Sequence, residues 1–127
     1  MNLIRPGMGT ENASTLLSVL VQMHRPQTVL EIGAGDSTIA LARALADAVS
    51  SWAEDRRALD ALEWSERTAL LDPSNVPLRY EPFLITIDDF SGEGTSAELA
   101  WSRLRAAGIQ PNTVKFIEQD FFTIPDD

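Results

Sequence analysis

Thr28-Val29-Leu30-Glu31-Ile32-Gly33-Ala34-Gly35-Asp36-Ser37-Thr38 is the stretch on which the fold turns. Thr28 to Ile32 is short, β-rich and apolar on both faces, as suits a strand in the middle of a parallel sheet covered by helices. Gly33-Ala34-Gly35 ends it, and glycine lets a backbone turn sharply or come close to a ligand. Asp36 or Ser37 can cap the helix that follows, whose Ile39, Leu41, Ala42, Leu45, Ala46 and Val49 recur at helical spacing. Strand, glycine turn and helix make one unit.

The flanks repeat the alternation. Upstream, a helix starting after Thr10 or Asn12 carries Leu16, Leu17, Leu20, Val21 and Met23 on one face and stops before Pro26. Downstream, Phe83 to Ile87 reads as a second buried strand ending at Asp88-Asp89, with a turn at Ser91-Gly92-Glu93-Gly94. Thr95 and Glu98 have capping-box spacing for a helix through Ala97, Ala100, Trp101, Leu104 and Ala107. Gly108 can end that helix in the left-handed conformation, with Ile109 supplying the usual apolar contact. Val114 to Ile117 is a third strand, reaching Glu118-Gln119-Asp120. Alternating strands and helices predict an α/β, Rossmann-like parallel sheet with flanking helices.

Residues 50–80 interrupt the rhythm as a helical insertion. Trp52 to Leu71 has helical i,i+4 charge pairs, Arg56–Asp60 and Glu63–Arg67, but poor apolar periodicity. It is expected as a separate helix outside the sheet, followed by a surface loop over residues 72–80. Trp52 and Trp64 are the residues that would dock it.

Composition bounds the function. The chain has 127 residues, the size of one domain, with 10 basic and 19 acidic side chains for a net charge of −9. That balance argues against nucleic-acid or anionic-membrane surfaces, which select clustered Lys and Arg. There is no cysteine, which excludes disulfides, thiolate metal sites and a Cys nucleophile. With no apolar signal core after Met1 and no run of membrane-spanning length, the cytoplasm is the expected location. His24, the single histidine, lies near a helix C-terminus, and no Ser-His-Asp set can be assembled around it. No acidic pair has metal-site spacing.

In open α/β sheets ligands bind beyond the carboxyl ends of the strands. Glu31 with Gly33 and Gly35, then Asp88 with Asp89, then Asp120 all sit at such ends. A carboxylate closing the second strand can accept hydrogen bonds from both ribose hydroxyls, and a polar group closing the third can meet a base. The pattern is nucleoside-shaped. A dinucleotide wants the full Gly-x-Gly-x-x-Gly run, and here Thr38 stands at the third glycine, with Glu31 and Asp36 flanking the loop. S-adenosylmethionine carries a sulfonium and an ammonium and no phosphate, so an acidic loop suits it better.

Val29 to Thr38 resembles the first motif of class I S-adenosylmethionine-dependent methyltransferases, in the variant with Ser-Thr replacing a third glycine. Leu84-Ile85-Thr86-Ile87-Asp88-Asp89 is similar to that family's second strand and ribose-binding acid. Leu104 to Ile109, followed by Val114 to Asp120, resembles its next helix and third strand, closest to the small-molecule O-methyltransferase type. The resemblance implies a sheet ordered 3-2-1, methyl transfer to a small-molecule acceptor, and a set of cofactor contacts. Gly33 and Gly35 would face the methionine portion, Glu31 its amino group, Asp88 the ribose, Asp120 the adenine amino group, and Phe121 the adenine slot. It implies no catalytic residue and no metal ligand.

Two departures stand out. The Glu31-to-Asp88 separation is stretched by residues 50–80, and the sequence ends before a fourth strand. The family's first strand is central, so it is expected here as an edge needing cover from a second copy, a partner chain or a further C-terminal half. Two other readings stay open: a non-catalytic adenosyl-ligand-binding or assembly module, and a fragment of an NAD-dependent oxidoreductase.

Overall fold

The computed structural model describes residues 10–63, 66, 76–89, 96–109 and 113–123. Helix α1 spans Thr10–His24, strand β1 Thr28–Ile32, helix α2 Asp36–Ala61 and strand β2 Phe83–Asp88. Helix α3 spans Ser96–Ala106 and strand β3 Val114–Glu118, and a 3-10 turn follows at Phe121–Thr123. The strands form one parallel sheet in the order β1-β2-β3, the expected 3-2-1 read from the other edge. Thr28 to Ile32 pair in register with Phe83 to Ile87, and Leu84 to Asp88 with Val114 to Glu118. The protein is therefore α/β, with a Rossmann-like arrangement of a parallel sheet and flanking helices.

Side chains alternate between two unlike faces of the sheet. Glu31, Leu84, Thr86 and Val114 are buried on the face that the helices cover. Leu30 and Ile32, on the other face, remain 57% and 58% exposed. The helices form a layer with α2 in the middle: α1 packs along one flank and α3 along the other. Trp101 of α3 meets Phe116 of β3 edge-on, with ring centroids 4.7 Å apart, so α3 lies on the β3 side. The core gathers where the layers meet, around Ile39, Leu45, Leu84, Leu104 and Val114. Ala40, Ala42, Ala44 and Ala48 are buried too, and their small size lets three elements approach one helix.

Both helix ends flanking β1 and β3 are set by left-handed residues. Arg25 closes α1 with φ 44°, its N–H donating to the Val21 carbonyl, and its guanidinium is held by Asp55 and Ser51 of α2. Gly108 closes α3 as expected, with φ 70°; the Ile109 N–H donates to Leu104 and the Gly108 N–H to Arg105, the Schellman pattern.

Three expectations change. Trp52 does not open a separate helix: α2 runs unbroken for 26 residues to Ala61, because no glycine or proline interrupts it. This segment is not wholly peripheral either. Leu59, Val76 and Tyr80 are buried, and the Trp52 indole N–H donates to the Pro77 carbonyl at 2.7 Å. The apolar residues of α1 also divide: Val21 is buried and Leu17 half-buried against the core, while Leu16, Val19, Leu20 and Met23 are exposed. The expected caps at Thr95, the turn at 91–94, Trp64 and residues 67–75 lie outside the described residues.

Candidate functional site

The three strands stop together, and the ladder continues one residue past them on each side of β2. The Gly33 N–H donates to the Ile87 carbonyl at 2.8 Å, and the Gln119 N–H to the Asp88 carbonyl at 3.0 Å. Together these bonds align the segments after β1 and β3 with the end of β2. Between them lies a shallow crevice of about 180 Å³, walled by Gly33, Asp88, Asp89, Gln119, Asp120 and Phe121, with Phe122 at its rim.

The glycine turn is tied down by its own amides. Gly33 has φ +84°, which side-chain-bearing residues rarely adopt, and a Cβ there would meet nothing within 4 Å. The open space lets a ligand lie against the backbone. The Ala34 N–H donates to Asp88 Oδ2 at 2.7 Å, binding the turn to the end of β2. The Gly35 N–H donates to Thr38 Oγ1 at 2.9 Å, and the Thr38 N–H returns a bond to the Gly35 carbonyl at 3.1 Å. Gly35, not Asp36 or Ser37, thus occupies the N-cap position of α2. Each amide of Gly33-Ala34-Gly35 already has an acceptor.

Glu31 points under α2 rather than into the crevice. Only 8% exposed, its carboxylate accepts hydrogen bonds from the hydroxyls of Ser37, Thr38 at 2.7 Å and Thr86 at 2.9 Å. Thr38 and Thr86 are themselves fully buried, so an apolar residue at 31 would leave their hydroxyls short of an acceptor. One carboxylate thereby joins the end of β1, the first turn of α2 and the middle of β2. Asp36 is likewise engaged away from the crevice, its Oδ1 receiving Arg103 Nη1 of α3 at 3.0 Å. Its charge is balanced by that guanidinium, so Asp36 does not make the loop acidic on its own.

Asp120 caps the final turn. Its Oδ1 accepts the Phe122 N–H at 2.9 Å, and its carbonyl accepts from both the N–H and hydroxyl of Thr123. That cap fixes Phe121 and Phe122, whose rings meet edge-on with centroids 5.8 Å apart. Phe122 is 93% exposed, an apolar ring standing beside an acidic crevice.

Of the six residues expected to contact a cofactor, the crevice brings together Gly33, Asp88, Asp120 and Phe121, while Glu31 and Gly35 stand behind it. Asp89, Gln119 and Phe122 join the walls. Their signal in the sequence is adjacency to two strand ends, although the sequence reads Asp89 as a solvated or capping residue beside the preferred Asp88. Among the described residues no group of three or more His, Asp or Glu side chains is arranged to hold a metal ion. No helix among them is long and apolar enough to cross a membrane. Comparison with known proteins finds no family model, no curated protein and no solved structure that matches the chain.

Proposed function

We propose that the crevice at the carboxyl ends of the strands binds the adenosyl group of S-adenosylmethionine and that the protein is a methyltransferase acting on a small-molecule acceptor. The observation that carries this reading is the convergence of Gly33, Asp88, Asp120 and Phe121 on one crevice. A carboxylate at the end of the central described strand suits ribose hydroxyls, an aromatic ring in the wall suits a purine face, and an exposed glycine backbone suits close approach. The state of the loop amides favours a sulfonium ligand over a dinucleotide. Pyrophosphate needs unspent N–H groups, and those of Gly33, Ala34 and Gly35 already donate within the protein.

S-adenosylmethionine supplies an electrophilic methyl group on its sulfonium. The chain's own part would be positional and electrostatic: Asp88 and Asp120 hold the nucleoside, and the acidic walls favour a cationic ligand. Glu31 contributes by fixing β1, α2 and β2 relative to one another.

The crevice volume supports a second reading. At about 180 Å³ it is smaller than the roughly 300–1,000 Å³ of most small-molecule sites, enough for part of a nucleoside. A non-catalytic adenosyl-binding module needs no more. Incubation with methyl-labelled S-adenosylmethionine and a panel of hydroxyl- and amine-bearing acceptors separates the two. Label transferred to an acceptor, and reduced in Asp88→Asn at sub-saturating S-adenosylmethionine, supports the enzyme; binding without transfer across the panel supports the module.

A further inference from the structure

We infer that Thr38 sets the charge of the ligand this site accepts, admitting adenosyl compounds with a neutral or cationic tail and refusing adenosine phosphates. The inference rests on the proposed adenosyl site and specifies what that site selects beside the nucleoside.

Thr38 stands where a dinucleotide loop carries its third glycine. It brings a hydroxyl to that position, fully buried against Glu31. The direction of its bonds is fixed by chemistry, because an ionised carboxylate only accepts and a backbone amide only donates. The single hydroxyl proton of Thr38 therefore goes to Glu31 Oε2 at 2.7 Å, and its oxygen receives the Gly35 N–H at 2.9 Å. Amide, hydroxyl and carboxylate form one relay, each bond polarising the next.

Two effects act against an anion. Gly35 is half-buried where the loop turns into α2, the place where a phosphate would need backbone donors. Its N–H is already bonded to Thr38. Behind it, the Glu31 carboxylate lies under the first turn of α2 and opposes the partial positive charge of the helix start. Ser37 and Thr86 donate to the same carboxylate, and among the described residues no cation pairs with it. Asp36 and Arg103 beside it form a neutral pair. An ammonium or sulfonium thus meets attraction at this loop, and a phosphate meets repulsion.

A helix cap alone would share part of this geometry, since an N3 side chain often closes on the N-cap amide. The relay to a buried carboxylate is what adds a charge preference, so the test reads a ratio of affinities rather than stability.

Calorimetric titration with adenosine, ADP and S-adenosylhomocysteine compares ligands that share the nucleoside. The full chain should bind ADP more weakly than adenosine by about tenfold or more. Thr38→Val removes the hydroxyl, frees the Gly35 N–H and should shrink that gap at least about fivefold. Thr38→Ser keeps the hydroxyl and should keep the gap. Where Thr38→Val does not fold, Glu31→Gln removes the charge and should shrink the gap in the same direction. A gap unchanged in the variant, an equal loss of it in Thr38→Ser, or wild-type binding of ADP as tight as that of adenosine overturns the inference. Absence of any adenosyl binding defeats the adenosyl site instead, and inorganic pyrophosphate then decides on Thr38. Its phosphorus resonance should broaden with Thr38→Val and not with wild type or Thr38→Ser, and any other pattern overturns the inference.

Discussion

Glu31 is where residue-scale chemistry most changes the functional picture. As a residue closing an apolar strand beside two glycines, it reads as a ligand contact; three hydroxyls around its carboxylate make it a joint between elements instead. Nothing in the local sequence distinguishes these roles, because Thr86 reaches Glu31 from 55 residues away. Glu31→Gln should therefore act on stability, costing about 1–3 kcal/mol as charge-assisted bonds become neutral ones. Urea denaturation checks it through a lower midpoint with an unchanged slope. Weaker ligand binding at unchanged stability would return Glu31 to the ligand. Tyr80 offers a second residue-scale test, because it is the single tyrosine in the chain. Burial raises its phenol pKa above the usual value, against a smaller opposing effect of Arg25. A raised folded-state pKa means that the neutral form is favoured by folding, so this contribution is intact below pH ~10 and lost as pH rises through the folded value. Phenolate absorbance during an alkaline titration should show a midpoint above ~10, and Tyr80→Phe should retain more of its stability there.

At the scale of elements, the parts written as local patterns were legible. Val29 to Ile32, Leu84 to Ile87 and Val114 to Ile117 are mainly apolar runs, each followed by glycine or an acidic residue, and each lies within an observed strand. Gly108-Ile109 announced its helix end because one residue supplies the left-handed turn and the next its partner bond. The second half of α2 was not legible as core. Its surface carries pairs such as Arg56–Asp60, and the residue it buries, Leu59, stands alone in a charged stretch. What makes Leu59 internal is tertiary context, and the nearby burial of Val76 and Tyr80 belongs to a segment whose prolines suggest only a loop. Leu59→Ala should consequently cost about 2–4 kcal/mol, the range for a buried leucine, rather than the near-zero effect of a surface position. Thermal and urea unfolding of this variant measure the difference, and a loss below about 0.5 kcal/mol would restore the segment to the periphery.

At the scale of the whole molecule, one sheet has two unlike sides and two unlike ends. Among the described residues the helices lie over one face, while Leu30 and Ile32 on the other stay more than half exposed. The carboxyl end gathers Asp88, Asp89 and Asp120 around an exposed glycine turn, in a chain with a net charge of −9. The sequence showed which residues close the strands, but not which of them turn toward the crevice; that follows from strand parity and the bonds around Gly33. Calorimetric titration of the chain with S-adenosylhomocysteine, beside NAD and with Asp88→Asn, tests the proposed site most directly. Asn keeps an oxygen for the Ala34 N–H while removing the charge, so the loop tie survives and ribose recognition weakens. The predicted result is saturable binding of one S-adenosylhomocysteine per chain, weaker by about 1–2 kcal/mol in Asp88→Asn, with no comparable binding of NAD. No binding, equal affinity in Asp88→Asn, or a preference for NAD would contradict an adenosyl-sulfonium site at the carboxyl end of this sheet.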